Sequence, residues 1–240
     1  MSSVLYSVEG GVATIMLDRP EARNALNGAM CDALCEAAKR AAADAAVRLV
    51  LVRGNGPVFC AGADVKERQG MSQEQVRERR LKGFAAYGAI EALPMPAIAV
   101  VQGAALGSGV EIAAACDFIV ALPDATFGTP EALRGTVGAT QRLPRVLGKR
   151  LAKDLMFTGR RLTAQEARDA GFVARVFPHE NFESALQEII SIVVAAPPAA
   201  MRLAKRCIDH GVELDPQGAL ELELEAIDEQ LASGQWMGKS

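Results

Sequence analysis

Ala97-Ile98-Ala99-Val100-Val101-Gln102-Gly103-Ala104-Ala105-Leu106-Gly107-Ser108-Gly109-Val110-Glu111-Ile112-Ala113-Ala114-Ala115-Cys116 is the stretch that decides the fold. It opens on an apolar run without alternation, which predicts a strand at 97–102 buried on both faces. Glycines at 103, 107 and 109 then let the chain turn sharply, and the small apolar residues that follow predict a helix over 108–116. A buried strand delivered through a glycine-rich turn into a helix is the unit of an α/β fold with parallel strands and crossover helices.

The same unit recurs on either side. Upstream, residues 4–8 and 12–17 flank a Glu9-Gly10-Gly11 turn and predict a hairpin, ended by Pro20. Helical spacing over 27–46, with Asn24 or Asn27 as the cap, leads into an apolar strand at 47–52 that Gly54-Asn55-Gly56-Pro57 closes. A polar helix over 72–93 and the Pro94-Met95-Pro96 break precede the strand at 97. Downstream, 118–121 and 126–128 read as short extended pieces. After about Arg142 the pattern predicts helices alone: 145–158, 163–170 with Gly171 as the C′ residue, 182–196, 198–210 and 216–231. The expected organisation is a core over residues 1–190 and a C-terminal helical region over 191–240.

Composition narrows the function. A chain of 240 residues that is 50 % hydrophobic can bury a sizeable core. The net charge of −3 is spread over interspersed acids and bases, without the basic footprint of a nucleic-acid binder, so any anionic ligand is held locally. Five cysteines (Cys31, Cys35, Cys60, Cys116, Cys207), with no CxxC among them, predict reduced thiols. Residues 1–9 lack the pattern of a signal peptide, and no window approaches the roughly 18 apolar residues of a membrane span. A soluble cytoplasmic protein is expected.

Glu111 raises the chemical question, because it interrupts a stretch that otherwise reads as a fully buried helix. An unpaired buried carboxylate costs several kcal/mol, so it needs a partner or a task. The plainer alternative leaves it at an exposed helix edge, favouring the macrodipole. The turn before it offers free N–H groups able to hold an oxyanion, and Phe59-Cys60-Ala61-Gly62-Ala63-Asp64 is a second small-residue turn of that type. Glu131 follows Pro130, and such a pair by itself is commonly a helix start. Other motifs fail. Gly107-Ser108-Gly109 lacks the third glycine of a dinucleotide fingerprint, the terminal Gly238-Lys239-Ser240 lacks the upstream glycine of a phosphate loop, and Ser108 is in no GxSxG elbow. His179 and His210 have no ligand-spaced partners, which leaves no metal site. Cys31 and Cys35 read as core filling, and Arg77, Arg79, Arg80 and Lys82, interleaved with Glu74 and Glu78, as a solvated helix face.

These segments together resemble the enoyl-CoA hydratase/isomerase (crotonase) superfamily over essentially the whole chain. The resemblance runs through Leu17-Asp18-Arg19-Pro20 with Asn24-Ala25-Leu26, the segment from Phe59 to Glu67, the segment from Gly103 to Glu111, and Phe127-Gly128-Thr129-Pro130-Glu131. It continues through Thr140-Gln141-Arg142-Leu143-Pro144 and Leu162-Thr163-Ala164-Gln165-Glu166-Ala167 to Gly171-Phe172-Val173. It implies a ββα-spiral assembled as trimers or dimers of trimers, with an acyl-CoA thioester as substrate, coenzyme A being part of that substrate rather than a cofactor. It also implies that the N–H groups of Ala63 and Ser108 hold the thioester oxygen and that Ala61, Gly62, Asp64, Val65, Lys66 and Gly107 line the coenzyme A and substrate site. Members with glutamates at both positions are similar to hydratases, which makes Glu111 and Glu131 the acid/base pair: Glu111 for water, Glu131 for the α-carbon proton.

Three departures stand out. The 135–139 loop is shorter than in typical hydratases, Ser108 replaces a commoner glycine, and the chain stops at Trp236-Met237-Gly238-Lys239-Ser240, short of the family's final helix, which leaves two expectations open, a truncated sequence or a more open pocket. The rivals are an isomerase or dehydratase on the same scaffold and a non-catalytic acyl-CoA binding protein. A further resemblance, of Met201-Arg202-Leu203-Ala204-Lys205 and residues 60–68, is to RNA-binding methylglutaconyl-CoA hydratases. There the RNA role goes with a lysine-rich first helix, whereas 27–46 holds only Lys39 and Arg40, so no nucleic-acid partner is expected.

Overall fold

The computed structural model describes residues 3–234, and the residues at 235–240 singled out above lie outside them. Strands β1 (Val4–Glu9) and β2 (Val12–Leu17) form the antiparallel hairpin, with Val4 opposite Leu17. The chain then forms α1 (Gly28–Ala43), β3 (Leu49–Gly54), α2 (Gln73–Glu91) and β4 (Ala97–Val101). Next come β5 (Ala104–Leu106), α3 (Ser108–Ala114), β6 (Phe118–Ala121) and β7 (Thr126–Gly128). The remainder is α4 (Arg142–Thr158), β8 (Leu162–Thr163), α5 (Ala164–Asp169), β9 (Arg175–Val176), α6 (Phe182–Ala195), α7 (Pro198–Gly211) and α8 (Pro216–Ala232).

The main sheet has the order β1-β2-β3-β4-β6-β9 and is parallel from β2 onward. Residues Ala97 to Val101 are all buried, as an apolar run without alternation requires of a central strand. One sheet face packs on α1, α2 and α3; the other takes Phe182, Leu186 and Ile189 of α6 against Leu49, Leu51, Ile98, Val100 and Val120. Helices α7 and α8 pack chiefly on each other, and no residue of α7 is buried. No single helix among the described residues is long and apolar enough to cross a membrane. All five cysteines are free.

The strands do not stop at Arg142. β8 pairs with β7, and β9 with β6. A small second sheet, β5-β7-β8, includes a strand inside what the sequence presents as a turn. Two- and three-residue strands carry no periodicity of their own and are fixed by the partner they meet. The choice of cap also resolves. Asn27 accepts from Met30 N at 2.9 Å and starts α1. Asn24 is fully buried instead, accepting from Arg19 N and donating to Asn55 O and Val58 O at 2.8–2.9 Å.

Candidate active site

Backbone pairing joins the two small-residue turns. Cys60 N donates to Ala104 O at 3.1 Å and Leu106 N to Cys60 O at 2.9 Å, so the segment after β3 is zipped to β5. The fit leaves no room for side chains: a Cβ on Gly109 would lie 2.4 Å from Cys60 O, and one on Gly62 3.0 Å from Leu106 O. Across the Leu26–Ala63 bridge the bonds run through Gly62 O and Asp64 N, leaving Ala63 N–H directed the other way. Ser108 is the first residue of α3, where an N–H has no intrahelical acceptor. Among the described residues neither the Ala63 nor the Ser108 N–H donates a hydrogen bond.

Both glutamates reach the space in front of these donors. Ala63, Ser108, Glu111 and Glu131 line one small cavity of about 50 Å³, with Tyr87 and Arg80 of α2 across from them. Glu111 is 4 % exposed, and its Oε1 has no hydrogen-bond partner. Glu131 enters from the 3-10 turn Ala132–Arg134, with a buried, unpartnered Oε2. Its Oε1 fills the space that a Cβ at Gly107 would occupy, 2.4 Å away, and Gly107 has φ +51°.

Burial pushes the Glu111 carboxyl up to about 7; Arg142 opposes the rise, Glu131 adds to it, and the Ala139 N–H and Arg80 oppose it. Burial also raises Glu131, against its own backbone N–H, Arg134, Arg68 and Arg80. A desolvated carboxyl that exchanges its proton near neutral pH suits acid/base work. The exposed-edge alternative for Glu111 is thereby excluded.

The other expected site residues, Ala61, Gly62, Asp64, Val65, Lys66 and Gly107, adjoin Ala63 and Ser108 in the chain but do not themselves line this cavity. Ala61 N is tied to Arg23 O at 3.0 Å. For Asp64, burial acts to raise the carboxyl, but hydrogen bonds from Arg19, at 3.1 Å, and from the Lys66 and Glu67 N–H groups hold it below the usual range. Asp64 therefore braces the loop, while Val65 and Lys66 sit exposed at its rim.

Four arginines escaped the sequence reading. Arg79 and Arg80 do not belong to a solvated face. Arg79 is 6 % exposed, paired with Glu67 at 3.0 Å and bonded to Leu26 O; Arg80 donates to Val137 O at 2.8 Å and to Thr136 Oγ1. Arg79 shares the stripe of Gly83, Ala86, Tyr87 and Ile90, a helical spacing that was legible. Arg68 lines the cavity, and Arg142 stands behind Glu111.

Two unengaged backbone donors and two buried carboxylates in one cavity, on strand–turn–helix units, make up a site equipped for acid/base chemistry on a group that develops oxyanion charge. The Enoyl-CoA hydratase/isomerase family model matches residues 7–236, and the chain belongs to that family. It is 42 % identical over 229 residues to the human "Enoyl-CoA hydratase domain-containing protein 2, mitochondrial", covering 91 % of this chain and 78 % of the relative. It is 36 % identical over 233 residues to the short-chain-enoyl-CoA hydratase of Clostridium acetobutylicum, covering 95 % and 89 %. The crystal structure of an enoyl-CoA hydratase from Bacillus anthracis superimposes with a TM-score of 0.91 at 36 % identity, covering 99 % of this chain and 92 % of that one.

Proposed function

We propose that the chain is an enoyl-CoA hydratase, adding water reversibly across the double bond of a 2-enoyl-CoA thioester. The observation that carries this reading is the pair of buried, partly unpartnered carboxylates, Glu111 and Glu131, in one cavity with the free N–H groups of Ala63 and Ser108. Ionised Glu111 takes a proton from water as its oxygen bonds to the β carbon. Protonated Glu131 delivers one to the α carbon, and the two N–H groups hold the negative charge on the thioester oxygen. A single such donor is worth roughly 2.7–4 kcal/mol in a well-studied protease. Ala61, Gly62, Asp64, Val65, Lys66 and Gly107 form the wall along which the coenzyme A chain approaches. The reaction asks for no metal or redox cofactor.

The apolar residues left exposed on α7 and α8, Ile208, Leu220 and Leu224 among them, support self-association, for which the family resemblance implies a trimer or a dimer of trimers.

The test is to mix the protein with crotonyl-CoA and follow loss of the enoyl-thioester absorbance, beside Glu111→Gln and Glu131→Gln. Rapid loss in the parent, cut at least about a hundredfold by either change, supports the pair. Binding of crotonyl-CoA without loss moves the assignment to isomerisation or acyl-CoA binding.

A further inference from the structure

Arg142 opens α4 and is buried, yet it meets carboxylates on two sides. Its Nη2 donates to Glu91 Oε2 at 2.5 Å, at the end of α2. Its Nη1 faces Glu111 Oε1 at 4.0 Å, too far for a hydrogen bond, and both atoms are buried without hydrogen-bond partners. The guanidinium also lies over the Tyr87 ring at 5.7 Å from its centroid. One immobilised cation thus serves two acids: one inside the catalytic cavity and one, Glu91, whose side chain is 55 % exposed in a larger cavity of about 950 Å³ on the far side.

We infer that Arg142 is a positioning residue for Glu111, fixing its carboxylate in the cavity in the charged state, and that Glu91 sets how strongly it does so. The inference rests on the proposed role of Glu111 as the base. A base must be ionised before it can take a proton, and burial works against that. Arg142 is the largest influence favouring the ionised form, and it acts through a poorly solvated gap. Glu91, bonded directly to the same guanidinium, diverts part of its field, so removing the Glu91 charge strengthens the hold on Glu111. Besides Arg142, the groups around Glu111 are Arg80 and Tyr87 from α2, Glu131 and the Ala139 N–H, with Arg68 and Arg79 lining the same cavity. Around Glu91 the far cavity presents Arg145, Arg202, Lys205, Arg206, Asp209, His210 and Glu229.

Opposite signs at Arg142 and Glu91 separate this arrangement from a merely structural one. The experiment places Glu91→Gln, Arg142→Gln, Arg142→Lys and the double variant Glu91→Gln/Arg142→Gln in a His210→Gln background, removing the imidazole of the far cavity. The titration of the Glu111 side-chain carbonyl is followed in the substrate-free protein by carbon-13 NMR, assigned against Glu111→Gln. In parallel, kcat and KM for crotonyl-CoA are measured against pH.

The expected result is a Glu111 midpoint raised by about one pH unit or more in Arg142→Gln, the range for losing a charge a few ångströms away. It falls in Glu91→Gln and is largely restored in Arg142→Lys. The acid limb of kcat follows the same order with KM little changed, and Glu91→Gln has no effect once Arg142 is gone. Midpoints that stay fixed, or that move the same way in Glu91→Gln and Arg142→Gln, overturn the inference. Should Arg142→Gln not fold, Glu91→Gln and Arg142→Lys still decide through the direction of their midpoints. Opposed midpoints without hydration by any variant uphold this arrangement and refute the hydratase reading; hydration with fixed midpoints does the reverse.

Discussion

Replacing Glu111 by Gln should make the protein more stable at alkaline pH while removing its activity. Burial, with Glu131 adding to it, lifts this carboxyl from 4.5 to about 7 in the folded state, against the pull of Arg142. At about 1.4 kcal/mol per pH unit, that disfavours the charged form by on the order of 3 kcal/mol. Between pH 4.5 and 7 the folded chain keeps a proton that the unfolded chain releases, so stability falls as pH rises through this window; above 7 the whole cost is present. Gln has nearly the same shape and no charge, so the variant escapes the cost. Arg142 keeps Glu91 as a partner and is not stranded. Urea and thermal denaturation of both proteins at pH 8.5 and 4.5 provide the assay. At the higher pH the variant should gain up to about 3 kcal/mol, or roughly 6–12 °C in Tm for a chain of this size. Near pH 4.5 the two should nearly coincide. A variant no more stable at pH 8.5, or one with the same advantage at both pH values, would refute the claim that Glu111 is a desolvated, titrating carboxyl.

Gly107→Ala should cost at least about a hundredfold in kcat, because the new Cβ takes the place of Glu131 Oε1, 2.4 Å away, and displaces an acid/base group. The change adds a left-handed strain of about 1–2 kcal/mol, visible in urea denaturation. Asn24→Ala should destabilise by about 3 kcal/mol or more, since it strands the Arg19 N–H and the Asn55 and Val58 carbonyls at a fully buried position. Asp117→Ala removes the acceptor of Ala97 N–H, at 2.6 Å, together with the ion pair to Lys205 that ties α7 to the sheet. A loss of about 2–4 kcal/mol is expected, and Lys205→Met, which keeps the Ala97 bond, should lose less. Unfolding free energies of the two variants, side by side, check that order.

The sequence was legible wherever a segment's own pattern determines its structure. The run from Ala97 to Val101 could only be a strand covered on both faces, and the caps at Asn27, Ser72 and Thr163 start their helices where the residue types predict. What was not legible depends on a distant partner. β8 and β9 exist because Phe127 and Val120 present open edges to Leu162 and Arg175, which neither short segment encodes. Arg142 stands in the sequence three residues ahead of the helix expected from 145, and only the meeting of α4 with α2 and α3 shows it between two acids.

The candidate site is where local reading and folded structure part company most, and there is a physical reason for that. Gly107 adopts φ +51°, two N–H groups go unused, and two carboxylates are buried with an unpartnered oxygen each. Every one of these lowers stability, so a sequence selected for folding alone would place an apolar residue at 111 and close the turn. Glu111 stood out in the sequence because it breaks its helix's apolar run; Glu131, after a proline, broke no rule and gained meaning only from the resemblance and then from the cavity. A residue that violates its local pattern can be found from sequence, whereas one that satisfies the pattern and is also used has to be found from geometry.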